Sequence, residues 1–187
     1  MADAAVRAAV PSDAPEIARI QTTTWRTAYA EVLPRTALDR LDDAEIERAW
    51  RSTLTEGPAT VLVATEGEWL VGFCAGGPAP DAEAAAANGR APADAATLAL
   101  VSSLLVEPRW GRRGHGGRLL AALARQLADS GSTRGIVWVP ESDTASMSFF
   151  RGVGWNPDGT VRTLDAGGTL VRELRLTGSL ELRTESK

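Results

Sequence analysis

The stretch Val106-Glu107-Pro108-Arg109-Trp110-Gly111-Arg112-Arg113-Gly114-His115-Gly116-Gly117-Arg118-Leu119-Leu120 decides how the rest of the chain is read. An apolar run, Leu98 to Val106, enters it, and apolar residues at helical spacing, Leu119 to Leu127, leave it. Between them stand Gly111, Gly114, Gly116 and Gly117, interleaved with Arg109, Arg112, Arg113 and Arg118. That is the pattern of a strand, a glycine-rich turn and a helix start. The first N–H groups of a helix have no internal acceptor and sit at the positive end of its dipole, so such a turn attracts anions. Glycine lets the backbone come close to a phosphate, and arginine adds charge-assisted hydrogen bonds. Two common phosphate motifs do not fit. A Walker loop needs Lys-Ser/Thr after its last glycine, where this chain has Arg118-Leu119 after Gly117. A dinucleotide fingerprint needs a third glycine after Gly114-x-Gly116 and belongs in a first βαβ unit, whereas this one comes late. Taken alone, the turn is either an anion site or a plain helix cap with scattered surface arginines.

The surrounding composition narrows the class. A chain of 187 residues suits one domain with a sizeable core, here read as residues 1–180 with a polar tail over 181–187. The net charge of −4 gives no basic field for nucleic acid, against which the local arginines stand out. A single cysteine, Cys74, rules out an internal disulfide and lies in an apolar stretch, as a small core residue. The start Met1-Ala2-Asp3-Ala4-Ala5 lacks a basic region and a long apolar run, so no signal peptide is expected. No apolar run reaches the ~18 residues of a membrane span. The expectation is a cytoplasmic protein with no metal site, no membrane and no nucleic-acid partner.

Downstream of the turn, a helix over 116–130 ends at Ser130-Gly131, and Gly135 to Val139 is a short, wholly apolar strand. With the strand 97–106 these form a parallel crossover. Ser142-Asp143 caps a helix to about Arg151. A strand starts at Trp155, turns at Asp158-Gly159 and continues over Thr160 to Leu164. After a turn at Asp165-Ala166-Gly167-Gly168 comes the last strand, Thr169 to Leu176, in which Leu170, Leu174 and Leu176 alternate out of phase with Val171.

Upstream, residues 76–96 read as an exposed loop with one helical turn at Ala82 to Ala87, either a substrate-side loop or surface ornament. Strands at Thr60 to Ala64 and Trp69 to Ala75 flank a hairpin turn at Glu66-Gly67-Glu68. Leu38, Leu41, Ile46 and Trp50 mark helical segments broken near Asp42-Asp43. Asp13 and Glu16 have capping-box spacing for a helix over 13–29 that buries Ile17, Ile20, Thr24 and Ala28. Trp25 and Tyr29 share one face of it, as core anchors or as pocket lining. Ala4 to Val10 is the first strand.

The chain resembles the GCN5-related N-acetyltransferases, the GNAT family, in its small bacterial members. Three segments carry the resemblance. Leu104-Leu105-Val106-Glu107-Pro108 with Arg113-Gly114-His115-Gly116-Gly117-Arg118-Leu119-Leu120 looks like the family's fourth strand and its Q/R-x-x-G-x-G/A loop. Asp143 to Trp155 looks like its N-x-x-A-x-x-F-Y-x-x-x-G-F segment. Trp25-x-x-x-Tyr29 followed by Leu33-Pro34 is similar to a common start. The resemblance implies an α/β (α+β) fold: a mixed, mostly antiparallel sheet with splayed central parallel strands 4 and 5, and helices on both faces. It implies acetyl-CoA as co-substrate, held by the backbone of Leu104, Leu105 and Val106, by Arg112, Arg113, Gly114, His115, Gly116, Gly117 and Arg118, and by Asp143, Ser146, Phe149 and Phe150. Trp25 and Tyr29 would line the acceptor pocket.

The implied activity is transfer of acetyl to a primary amine of a small molecule or peptide, by a monomer or homodimer. The N–H of Val106 would stabilise the oxyanion, and Glu31, Glu107 and Ser102 (with Ser103) are the candidates to accept or relay the proton of the amine. His115 is read as solvated or phosphate-facing rather than as a base. The pattern departs from the family where Gly111 replaces the usual Gln or Arg, Arg112 a usual Gly, Asp143 an Asn and Ser146 an Ala. It departs again where Phe150 replaces a tyrosine thought to protonate the leaving thiolate, which a phenyl ring cannot do. Those departures keep two other readings open: a catalytically weak acyl-CoA-binding module, as sensor or structural partner, and nucleotide-phosphate binding through the same loop.

Overall fold

The structure, a computed structural model, describes residues 4–182. The readings of the amino-terminal Met1-Ala2-Asp3 and of the polar tail beyond 182 lie outside the described residues. In chain order the elements are β1 (Ala4–Ala8), α1 (Ala14–Thr27), α2 (Arg35–Asp39), α3 (Asp43–Glu56), β2 (Thr60–Glu66), β3 (Trp69–Pro78), α4 (Asp81–Ala84), β4 (Leu98–Val106), α5 (His115–Asp129), β5 (Arg134–Pro140), α6 (Thr144–Gly152), β6 (Asn156–Asp165) and β7 (Leu170–Ser179). They build a seven-stranded sheet of order β1-β2-β3-β4-β5-β7-β6. Pairing is antiparallel for β1–β2, β2–β3, β5–β7 and β6–β7. It is parallel for β4–β5, as the crossover reading requires, and covers three positions only, Leu98↔Arg134 to Leu100↔Ile136. By internal contacts the chain forms two compact units, one of residues up to Gly76 with Ser103–Leu123, the other of Gly77–Ser102 with residues from Ala124 on.

The first unit is centred on Ile17, Ile20, Val61, Val63, Leu70, Phe73, Ala75 and Leu105. Ile17, Ile20 and Thr24 sit on the buried face of α1 as their spacing predicts, but Ala28 is exposed because α1 stops at Thr27. Trp25 and Tyr29 are partly buried and pack on this core with Trp50 and Leu54. Trp50 meets Phe73 edge to face at 5.0 Å and donates its Nε1–H to Gln21 at 2.6 Å. Asp13 does not cap α1. It lies in a 3-10 turn with helical φ and ψ, so its carboxylate turns back to accept the Val10 N–H (2.9 Å) and the Arg7 guanidinium (2.7 and 2.9 Å). Val10 follows rather than ends β1 and is exposed. The break near Asp43 is real: the Asp42 carboxylate accepts the Ala44 and Glu45 N–H groups and starts α3.

In the second unit the β5–β7 register sets Gly135 opposite Gly178. A Cβ at either would collide with the indole of Trp155, which is fully buried and donates to the Ser179 carbonyl at 3.0 Å. β7 buries Leu176 fully and Leu174 in half, but residues of the other phase are buried with them. Leu170 is 72% exposed, while Val171, Glu173 and Arg175 are buried, because this face carries charge pairs. Glu173 accepts from Arg162, and Arg175 from β7 pairs with Asp158 at 2.7 Å. The loop 76–96 is also not ornament. Its helical turn is α4, shorter than expected, and ends on Ala84, 1% exposed. Arg175 donates to the Glu83 and Ala85 carbonyls at 2.7 Å each, which ties the loop to β7. The bulge between Pro157 and Val161 in β6 is the Asp158-Gly159 turn seen in sequence.

Candidate active site

The candidate site grows out of the end of β4. Leu105 is buried there, with Leu104 and Val106 half-buried on either side. β3 presses on this end so closely that a Cβ on Gly72 would stand 2.7 Å from the Leu105 carbonyl oxygen. The Glu107 N–H donates to the Val71 carbonyl at 2.9 Å, which fixes where the strand stops. Glu107 itself, one of the candidate proton acceptors, is 6% exposed, and its two carboxylate oxygens are taken by Arg109 (2.8 Å) and Arg19 (3.1 Å). It braces the strand end.

The loop then makes a 3-10 turn over Pro108–Trp110 and passes into α5 at His115. Its φ angles alternate in sign: Gly111 is at −60°, Arg112 at +62° and Gly114 at +81°, with Arg113 between them not among the positive values. Alternation of this kind turns successive N–H groups toward one side and makes an anion-binding concavity. The N–H groups of His115, Gly116 and Gly117 fall in the first turn of α5, where intrahelical acceptors run out. No acidic residue stands in that turn. Arg112 is exposed and has no ion pair among the described residues, so its charge is uncommitted. Arg113 is committed: its guanidinium pairs with Glu66 at 2.9 Å and lies over the Trp110 ring at 4.9 Å. Arg118 donates to the Arg113 carbonyl at 3.2 Å and lines the space beside Gly114.

Of the two readings of His115, solvated or phosphate-facing, its burial excludes the first. It is 2% exposed, with Nε2 2.8 Å from the Glu66 carboxylate and Nδ1 3.5 Å from Arg118. The hydrogen bond from His115, helped by the Arg113 charge and opposed by desolvation, holds the Glu66 carboxyl below its usual range. Glu66 was legible only as a turn residue. Nothing local signals its role, because its partners lie 47 and 49 positions away.

The remaining expected residues are not all part of this cluster. Glu31 is exposed in the turn after α1. Near it in sequence, Arg26, Ala30, Arg35, Leu38 and Asp39 line a cavity of about 520 Å³, whose lining includes neither Trp25 nor Tyr29. Ser102 is exposed and Ser103 half-buried on β4. In the second unit, Asp143 caps α6 by accepting the Ser146 N–H at 3.0 Å, so the carboxylate serves in the place of an amide. Phe150 is 4% exposed and stacked on Trp155 at 5.6 Å, with Phe149 edge-on to it at 5.2 Å. Cys74 is fully buried, and burial pushes its thiol up to about 12, which removes it as a nucleophile. Among the described residues no helix is long and apolar enough to cross a membrane, and no three His, Cys, Asp or Glu side chains gather as metal ligands.

Comparison with known proteins points one way. The profile of the acetyltransferase (GNAT) family matches residues 16–155. The uncharacterized N-acetyltransferase YuaI of Bacillus subtilis (strain 168) is 31% identical over 145 residues, spanning 77% of this chain and 76% of that protein. An N-acetyltransferase from Staphylococcus aureus Mu50 shares the fold with a TM-score of 0.70 at 16% identity, over 96% of this chain and 99% of its own. The Salmonella typhimurium protein yncA, solved with its cofactor acetyl-CoA, does so with a TM-score of 0.67 at 17% identity, over 95% and 94%.

Proposed function

The chain belongs to the acetyltransferase (GNAT) family, and on that premise we propose that it transfers the acetyl group of acetyl-CoA to a primary amine of a small molecule or peptide by direct attack. The observation that carries this reading is the loop: alternating φ at Arg112 and Gly114, an uncommitted Arg112, and the open first turn of α5. That set of donors suits a pyrophosphate. The N–H groups of Arg112 to Gly117 hold it, and Arg112 and Arg118 supply charge. Arg113 and the His115 ring act from behind, through Glu66. The backbone of Leu104, Leu105 and Val106 pairs with the amides of the pantetheine arm as a neighbouring strand does.

The neutral amine attacks the thioester carbonyl, its nitrogen gains the bond to carbon, and the carbon–sulfur bond breaks. The N–H of Val106 donates to the carbonyl oxygen as charge develops there. A thiol titrates near about 8.5, so the thiolate leaves without a side-chain acid and takes its proton from water. This accommodates Phe150, whose ring is built into the packing around Trp155. The proton lost by the amine passes to Glu31 or, through water ordered at Ser102, to solvent; Glu107 is held by two arginines and positions the strand instead. We read residues 1–180 as one acyltransferase domain acting in the cytoplasm as a monomer or homodimer.

Calorimetric titration with CoA, ATP and NAD, followed by thiol release from acetyl-CoA against a panel of amines, tests the reading. Binding of CoA in preference to the nucleotides, with release by some amine, is expected. Binding of ATP or NAD without CoA sinks it. Tight CoA binding with no release by any amine favours the second reading that Phe150 keeps alive, a catalytically weak acyl-CoA-binding module.

A further inference from the structure

We propose that Glu66 is a positioning residue for the co-substrate: acting through His115 and Arg113, it locks the phosphate loop in its anion-binding form. The inference rests on the reading of the loop as a CoA phosphate site. Glu66 closes β2 and meets the loop from across the chain. Its Oε1 takes the Arg113 guanidinium at 2.9 Å and its Oε2 takes the His115 ring at 2.8 Å. These two contacts straddle Gly114, the residue at φ +81° on which the loop pivots into α5.

An ionised carboxylate only accepts, so the hydrogen on this bond belongs to His115 Nε2. The group facing the other ring nitrogen, Nδ1, is the Arg118 guanidinium at 3.5 Å, a donor. Arg118 in turn donates to the Arg113 carbonyl at 3.2 Å. The path Glu66–His115–Arg118–Arg113–Glu66 is therefore closed, and its central ring is 2% exposed, with no room to turn. A loop with Gly114, Gly116 and Gly117 has many backbone forms open to it, and ordering it on binding costs affinity. The ring of contacts removes most of those forms before the ligand arrives. It also sorts the arginines. Arg113 is neutralised by Glu66, while Arg112 stays free to meet phosphate.

The test is calorimetric titration of wild type, Glu66→Ala and Glu66→Gln with CoA and with pantetheine, which lacks the phosphates. Glu66→Ala is expected to raise the Kd for CoA about tenfold or more, the scale seen when the outer partner of a ligating group is removed. Its Kd for pantetheine stays at the wild-type value. Glu66→Gln lies between, since the amide oxygen still accepts from His115 while the charge on Arg113 goes unpaired; should the alanine variant not fold, this isostere carries the test with a rise of about threefold. An unchanged Kd for CoA in a folded variant overturns the inference, as does an equal rise for both ligands, which a general loss of structure produces. Wild type that binds no CoA overturns the reading of the site, and this inference with it.

Discussion

Arg112 occupies a backbone conformation that glycine normally takes. At φ +62° its Cβ crowds the following carbonyl oxygen, at a cost of about 1–2 kcal/mol. Arg112→Gly relieves that crowding but loosens the unfolded chain by about 0.4–1 kcal/mol, so stability should rise by up to about 1.6 kcal/mol. The same change deletes a loop guanidinium that has no ion pair among the described residues, and CoA affinity should fall by roughly fivefold, the worth of a good exposed ion pair. Urea unfolding and calorimetry read the two effects, and a fall in both quantities would show that the arginine is there for its packing. Asp13 carries a second prediction. The Arg7 guanidinium, more than the Val10 N–H, holds its carboxyl below the ordinary carboxylate range. A carboxyl lowered on folding stabilises the fold above its ordinary value near 3.8 and stops doing so as pH falls through the folded value. In Asp13→Asn the loss of stability as pH falls below the ordinary value near 3.8 should flatten, measured by urea unfolding across the acid range. At this scale the sequence was readable where a residue's role is local. The glycines and arginines announced the loop, but the burial of His115 did not show, because its partner Glu66 arrives through the β2–β3 hairpin.

Elements were legible where one apolar period runs through them. α1, α5 and the run Leu98 to Val106 appear close to where they were expected. β7 was placed as a strand, but its faces were not legible, since Val171, Glu173 and Arg175 are buried as well as Leu176, and a search for apolar alternation passes over buried charge. Those charges are satisfied by Arg162, Asp158 and the carbonyls of the 76–96 loop, none of which is a neighbour in sequence. The paired glycines of β5 and β7 make a sharper test of the element. Gly135 and Gly178 face each other across the ladder and leave the slot that Trp155 fills. Gly178→Ala should cost about 3 kcal/mol, because the methyl group meets buried ring atoms with nowhere to shift. Urea unfolding with Trp emission as the probe measures it; a loss under about 1 kcal/mol would mean that the strands part easily around the indole.

At the scale of the molecule, a chain of net charge −4 concentrates arginine at one loop. Attraction of a phosphate-rich ligand to that loop is local and open to screening. The Debye length shrinks from about 10 Å at 0.1 M salt to about 3 Å at 1 M, so CoA affinity should drop several-fold over that range. Titration at both concentrations checks it, and a flat response would assign binding to the pantetheine arm alone. The fold class and the course of the glycine–arginine loop were legible because a strand, a glycine turn and a helix are consecutive in the chain. The cavity beyond α1 was not, since it is lined by side chains from separate turns, and Arg26 there already donates to the Leu41 carbonyl and pairs with Asp43. One buried residue has a practical reach. Cys74 is the chain's only thiol, and with no exposed surface and a proton held to about pH 12 it stays silent toward disulfide dyes and maleimides. Every colour change in a reaction mixture then reports a released coenzyme and not the catalyst. A cysteine introduced anywhere on the surface becomes a unique handle for a label.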